Sequence, residues 1–180
     1  MMKKLISVIL SAVICMGLFV GTAFADIDVY TDVDEMATAL NRLNILQGGS
    51  GGDYMLDSKL ERSQAVTLII RMLGKERFVQ QNADELRYTK FIDVPSDAWY
   101  APYVGYGTLN SIVAGDTETT FSPGDYVTEK AFVKMALCAL DYEYAEDFSW
   151  SDVYQKAYEV GLLTDVAYST RTQDNTNYMR

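Results

Sequence analysis

The sequence predicts a mainly all-α chain built from helix–loop–helix repeats, and three observations carry that reading. The segment Asn44-Ile45-Leu46-Gln47-Gly48 recurs 67 residues later as Ser111-Ile112-Val113-Ala114-Gly115, and Tyr54-Met55-Leu56 meets Phe121-Ser122-Pro123 at the same spacing. In that register Ala65, Val66, Ile69, Ile70 and Leu73 superpose on Phe132, Val133, Ala136, Leu137 and Leu140, the stripe of a helix with one buried face. Upstream, Tyr30-Thr31-Asp32-Val33 corresponds to Phe91-Ile92-Asp93-Val94, with a length difference that falls in a loop, where insertion costs little. A helix pair of this kind cannot bury its stripe alone, so several units must share a core.

Residues 1–25 read as an export signal: Lys3-Lys4 open it, Leu5 to Val20 is almost uninterruptedly apolar, and Ala23-Phe24-Ala25 offers small residues for cleavage after Ala25. The apolar run is shorter than the roughly 20 residues of a bilayer span, so no membrane insertion is expected once the signal is cleaved. The first unit covers 26–76. Its first helix is expected from about Asp34 to Leu43, with Val33, Met36, Ala37, Leu40 and Leu43 on one side, and its second ends at Gly74. Gly48-Gly49-Ser50-Gly51-Gly52 is read as a flexible turn, since it lacks the lysine and the preceding strand of a phosphate loop. A linker is expected over 77–90.

The second unit, 91–143, starts its first helix near Asp97 or Trp99, passes through Tyr103 and Tyr106, and uses Gly105 and Gly107 for close approach of a neighbour. Thr128 is the expected N-cap of its second helix. A third unit, within 144–180, opens at Phe148-Ser149-Trp150-Ser151-Asp152-Val153. Its Tyr158-Glu159-Val160-Gly161-Leu162-Leu163 matches a helix end and turn, and Tyr178-Met179-Arg180 falls where a second helix would begin. The expectation is two repeats and a partial third.

Composition narrows the function. The net charge of −10 becomes more negative by two when Lys3 and Lys4 leave with the signal, which argues against nucleic acid or an anionic membrane as partner. Cys138 is then the one remaining cysteine, read as a buried small residue. The chain has no histidine, which removes the usual Ser and Cys triads and the usual zinc sites. No pair among its 25 acidic residues stands out as a glycosidase pair, and no acids are spaced as a calcium loop requires. The expectation is a protein that is not an enzyme, with no cofactor and no metal.

The order aromatic-x-Asp-Val, Trp99-Tyr100-x-Pro102-Tyr103, the Ser111 to Gly115 turn, Phe121-x-Pro123 and a Thr128-x-x-Ala131 helix start resembles the S-layer homology repeat. The likeness covers nearly all of the chain after residue 25. It implies three repeats forming a pseudo-threefold helical module, secreted and held at the cell wall or S-layer of a Gram-positive-type bacterium. The implied partner is secondary cell-wall polysaccharide, often bearing pyruvate ketals, bound without covalent attachment in grooves between repeats. A further domain outside this chain would fit the same role.

Sugar recognition needs aromatic faces and fixed polar groups, and an acidic ketal needs an arginine fork. The resemblance and this chemistry nominate Arg62, Asp32, Asp93, Trp99, Tyr100, Lys130 and Arg180 as ligand-binding residues. Unit one keeps the family's motif arginine as Arg62, whereas unit two has Glu129 there, with Lys130 beside it as a substitute point charge. The competing reading for Asp32 and Asp93 is as caps of the helix that follows, and for Trp99 and Tyr100 as core. The alternative function is a cell-surface protein–protein interaction module without wall binding.

Overall fold

The computed structural model of the chain describes residues 32–49 and 51–171; the proposed export signal and Arg180 lie outside them. Within the described residues the chain is helical, with two isolated β-bridges and no strand. Unit one contributes α1 (Val33–Arg42) and α2 (Arg62–Met72), followed by short α3 (Glu76–Gln81) and α4 (Ala83–Leu86). Unit two contributes α5 (Ala101–Leu109) and α6 (Glu129–Ala139). Unit three contributes a 3-10 turn (Trp150–Asp152), α7 (Val153–Glu159) and α8 (Asp165–Ser169). None of the described helices is long and apolar enough to cross a membrane.

The repeat is visible in backbone geometry. Asn44, Ser111 and Gly161 each follow a first helix in the left-handed region, at φ of 57°, 56° and 81°. The next amide then reaches back five residues to close the helix end: Ile45 to the Leu40 carbonyl at 2.9 Å, Ile112 to Gly107 at 2.8 Å and Leu162 to Ala157 at 2.8 Å. Ile45, Ile112 and Leu162 are all buried beneath their turns. The same helix-end turn thus occurs three times among the described residues.

Packing runs from each second helix to the next unit's first helix. α2 lies against α5 and α6 against α7, while α2 and α6 also touch each other. Ala65, Val66, Ile69 and Ile70 on α2 are fully buried, and Met135 to Ala139 on α6, with Leu140 just after it, complete the same core with Tyr154 and Ala157 of α7. Burial of each large aliphatic side chain here contributes about 1.5–3 kcal/mol. Thr128 caps α6 by accepting from the Ala131 amide at 3.2 Å, and Cys138 is buried.

Two expectations need correction. The segment 77–90, expected as a linker, is largely helical and packed: Val79 and Leu86 are buried, and a β-carbon on Gly105 would lie 1.9 Å from the Leu86 carbonyl oxygen. Helices of six and four residues are too short to give a readable apolar period. The stripe expected to be buried on α1 is covered mainly at its centre, where Ala37 is buried, while Val33 and Leu43 at its ends are exposed.

Candidate functional site

The joint between units one and two gathers most of the nominated residues. The first two amides of α2, which have no partner inside the helix, reach across to unit two: Arg62 N–H to the Asp125 carbonyl at 2.8 Å and Ser63 N–H to Pro123 at 3.0 Å. Beside them Glu61 and Tyr126 form an antiparallel bridge. This backbone seam presses the Arg62 side chain against the Phe121 loop.

Phe121 is gripped from three sides. Asp93 accepts the Phe121 amide at 2.8 Å and the Ser122 amide at 2.7 Å, one on each carboxylate oxygen. Arg62 donates from Nε to the Phe121 carbonyl at 2.9 Å and from Nη2 to the Ala114 carbonyl at 3.2 Å, and its guanidinium carbon stands 4.8 Å from the centre of the Phe121 ring. The ring itself is fully buried. Ser122 sits at φ 57°, a strained conformation for a residue with a side chain, and the Asp93 bond to its amide holds it there. Asp93 is thus a loop brace, and the helix-cap reading is corrected for it.

Charge around this joint is uneven. Burial lowers the Arg62 pKa from its ordinary value, and the nearby Asp116, Asp125 and Asp93 oppose that shift. No carboxylate among the described residues closes an ion pair with Arg62. Burial, followed by the field of Asp93, Glu61 and Asp97, raises the Tyr100 pKa, so the hydroxyl stays neutral and able to donate at physiological pH. Trp99, next to it, is 58% exposed, and its ring is held by edge contacts with Tyr100 at 5.5 Å and Tyr103 at 6.4 Å. The core reading is therefore corrected for Trp99: its indole is a fixed, solvent-facing plane.

Arg62 and Asp93 thus meet on the Phe121 loop, Tyr100 lies in the field of Asp93 and Glu61, Trp99 adjoins it through the Tyr100 ring, and the other nominated residues lie elsewhere or outside the described residues. Asp32 caps α1 by accepting the Asp34 amide at 2.9 Å. Lys130 is 1% exposed and lies in the joint between units two and three, its ammonium 5.0 Å from the Trp150 ring centre and 5.8 Å from that of Tyr154. It therefore does not stand in for the motif arginine at the surface, because its position on the inner side of α6 turns the stem into the core. Arg180 is outside the described residues.

Sequence reasoning missed Phe121 as the residue around which the joint is built, although its Phe-x-Pro setting marked the place. It also missed Arg171, whose Nε donates to Glu129 and whose Nη1 donates to the Ala167 carbonyl. Nothing local to Arg171 announces that partner.

Residues 90–132, which contain Asp93, Trp99, Tyr100 and Phe121, match the S-layer homology domain family. The chain is 27% identical over 174 residues to the middle cell wall protein of Brevibacillus brevis, covering 92% of this chain and 16% of that protein. It is 29% identical to the surface layer protein of Brevibacillus choshinensis, covering 79% of this chain and 13% of that protein. A cell surface protein of Thermoanaerobacter kivui is 28% identical over 90% of this chain and 21% of its own length. The chain therefore spans less than a quarter of each of these relatives, and no solved structure matches it. The family match and these likenesses agree on one point: residues 90–132 of the chain match an S-layer homology domain.

Proposed function

We propose that this chain holds itself, and any domain joined to it, on the bacterial cell wall by binding secondary cell-wall polysaccharide non-covalently at the joint between units one and two. Attachment at the cell wall is supported at the general level by the S-layer homology domain and by the surface-protein relatives. The polysaccharide, its acidic pyruvate substituent and the residues that touch it are our reading. The observation that carries it is the braced guanidinium of Arg62 at the joint, with the neutral Tyr100 hydroxyl in the field of Asp93 and Glu61 and the exposed Trp99 indole edge-on against the Tyr100 ring. Those groups supply the stacking face, the donor and the local cation that an acidic sugar requires.

Catalysis has no place in this reading. An endoglucanase of Bacillus sp. strain KSM-635 is 29% identical, but the match covers 55% of this chain and 11% of that enzyme. A likeness confined to so small a part of a large enzyme fits an attachment module better than a catalytic domain.

The deciding experiment is co-sedimentation of residues 26–180 with purified walls, before and after the secondary polymer is stripped while peptidoglycan is kept. Pelleting with untreated walls alone supports the proposal. A chain that is folded by circular dichroism and stays in the supernatant with both preparations overturns it and favours a protein partner.

A further inference from the structure

The second joint repeats the first with different side chains. Glu129 follows the α6 cap, Thr128, as Arg62 follows Glu61 at the start of α2. Carrying the interval between the left-handed residues Ser111 and Gly161 forward from Phe121 leads to Arg171. In the first joint an arginine on the upstream helix grips a phenylalanine of the downstream loop. In the second, a glutamate on the upstream helix grips an arginine of the downstream unit.

The second joint also holds an aromatic face and a second cation, groups that a sugar site uses. Trp150 at the start of unit three is 44% exposed, and the buried Lys130 ammonium lies against its ring. The side chains of Arg171 and Glu129 are 24% and 21% exposed, so the pair is sheltered but reachable from solvent. Its carboxylate sits on the guanidinium as a ligand acid would.

We infer that the second joint is a masked site for an acidic sugar, in which Glu129 serves as an internal carboxylate occupying Arg171. The identity of the ligand rests on the wall-binding reading; the masking does not. It predicts an asymmetric module in which one joint takes the acidic ligand and the other takes it once Glu129 is neutralised. The Glu129–Arg171 pair links units two and three while closing the site.

The test uses residues 26–180 and the Glu129→Gln variant, each checked for folding by circular dichroism. The first arm measures phenylglyoxal modification of Arg171 by peptide mass spectrometry, with exposed Arg42 on α1 as reference. Removing the charged partner is expected to speed modification of Arg171 relative to Arg42 by about tenfold. Equal rates in the two proteins overturn the masking whatever the ligand is. The second arm titrates both proteins with the polymer extracted from the walls by hydrofluoric acid. A gain from one site to two in Glu129→Gln, reversed in Glu129→Gln/Arg171→Gln, supports the masked site. An unchanged stoichiometry in a protein that binds the extract overturns it. If neither protein binds the extract, the wall reading fails and the modification rates alone decide the masking.

Discussion

At Trp99 the contribution to binding is separable from the contribution to folding. Its indole is 58% exposed and touches other aromatic rings by their edges, so truncation removes a stacking face and little buried area. Trp99→Ala is expected to change stability by about 0.5 kcal/mol or less, as for other surface positions, while wall retention falls about tenfold. Equal retention of variant and parent in the co-sedimentation assay would remove Trp99 from the site. Asp93 is the opposite case, because both its oxygens accept backbone amides of a strained loop. In Asp93→Asn one of those amides faces an NH2 group, and the loss is expected to be about 1–3 kcal/mol in urea unfolding. A third carboxylate gives a pH signature. Asp152 accepts from both the hydroxyl and the amide of Ser149, and the side-chain bond first among the causes holds its pKa below the ordinary value. A depressed native pKa means that Asp152 stabilises the folded chain fully above the unfolded value of about 3.9 and loses that effect as pH falls through the native value. An NMR titration of the Asp152 carboxyl with its midpoint at or above about 3.9 would contradict this.

Among the elements, close approach decides what a substitution costs. α4 and α5 meet at Gly105, where a β-carbon would stand 1.9 Å from the Leu86 carbonyl oxygen, a backbone atom that can move only with its helix. Gly105→Ala is therefore expected to destabilise the chain by about 1–3 kcal/mol, read as a lower urea midpoint at unchanged slope. The glycine was legible in the sequence as a point of contact, but its partner was not, because α3 and α4 are too short to show a period. The α2 stripe was legible for the converse reason: Ala65, Val66, Ile69 and Ile70 span two turns and all face the core. The turn was recognisable in all three units by similarity, and at Gly161 glycine tolerates the left-handed conformation that Asn44 and Ser111 adopt under strain. In the site, Arg62, Trp99 and Tyr100 could be nominated from motif order. The Asp93 grip on the Phe121 loop and the Glu129 pair with Arg171 could not, since each joins positions brought together only when units pack. Lys130 was visible as a cation, but its burial depends on which side of α6 faces α7.

For the whole molecule, net charge and local charge have opposite signs, and that gives a kinetic test. The sequence carries −10, and at the first joint Arg62 lies in the field of Asp93, Asp116 and Asp125, with Lys134 a second cation near it. An acidic polymer is therefore repelled at long range and held at short range. The Debye length falls from about 30 Å at 0.01 M salt to about 8 Å at 0.15 M, shorter than the reach of the overall field but longer than an arginine–carboxylate contact. Raising salt across that range is expected to speed association by screening the repulsion, and to speed dissociation more weakly because the contact at Arg62 is partly buried. This is the reverse of a basic protein on a polyanion, whose association slows as salt rises. Surface plasmon resonance on immobilised wall polymer at several salt concentrations reads both rates. An association rate that falls with salt would mean that the ligand experiences the chain as a cation, and the binding surface would then have to lie away from the acidic first joint.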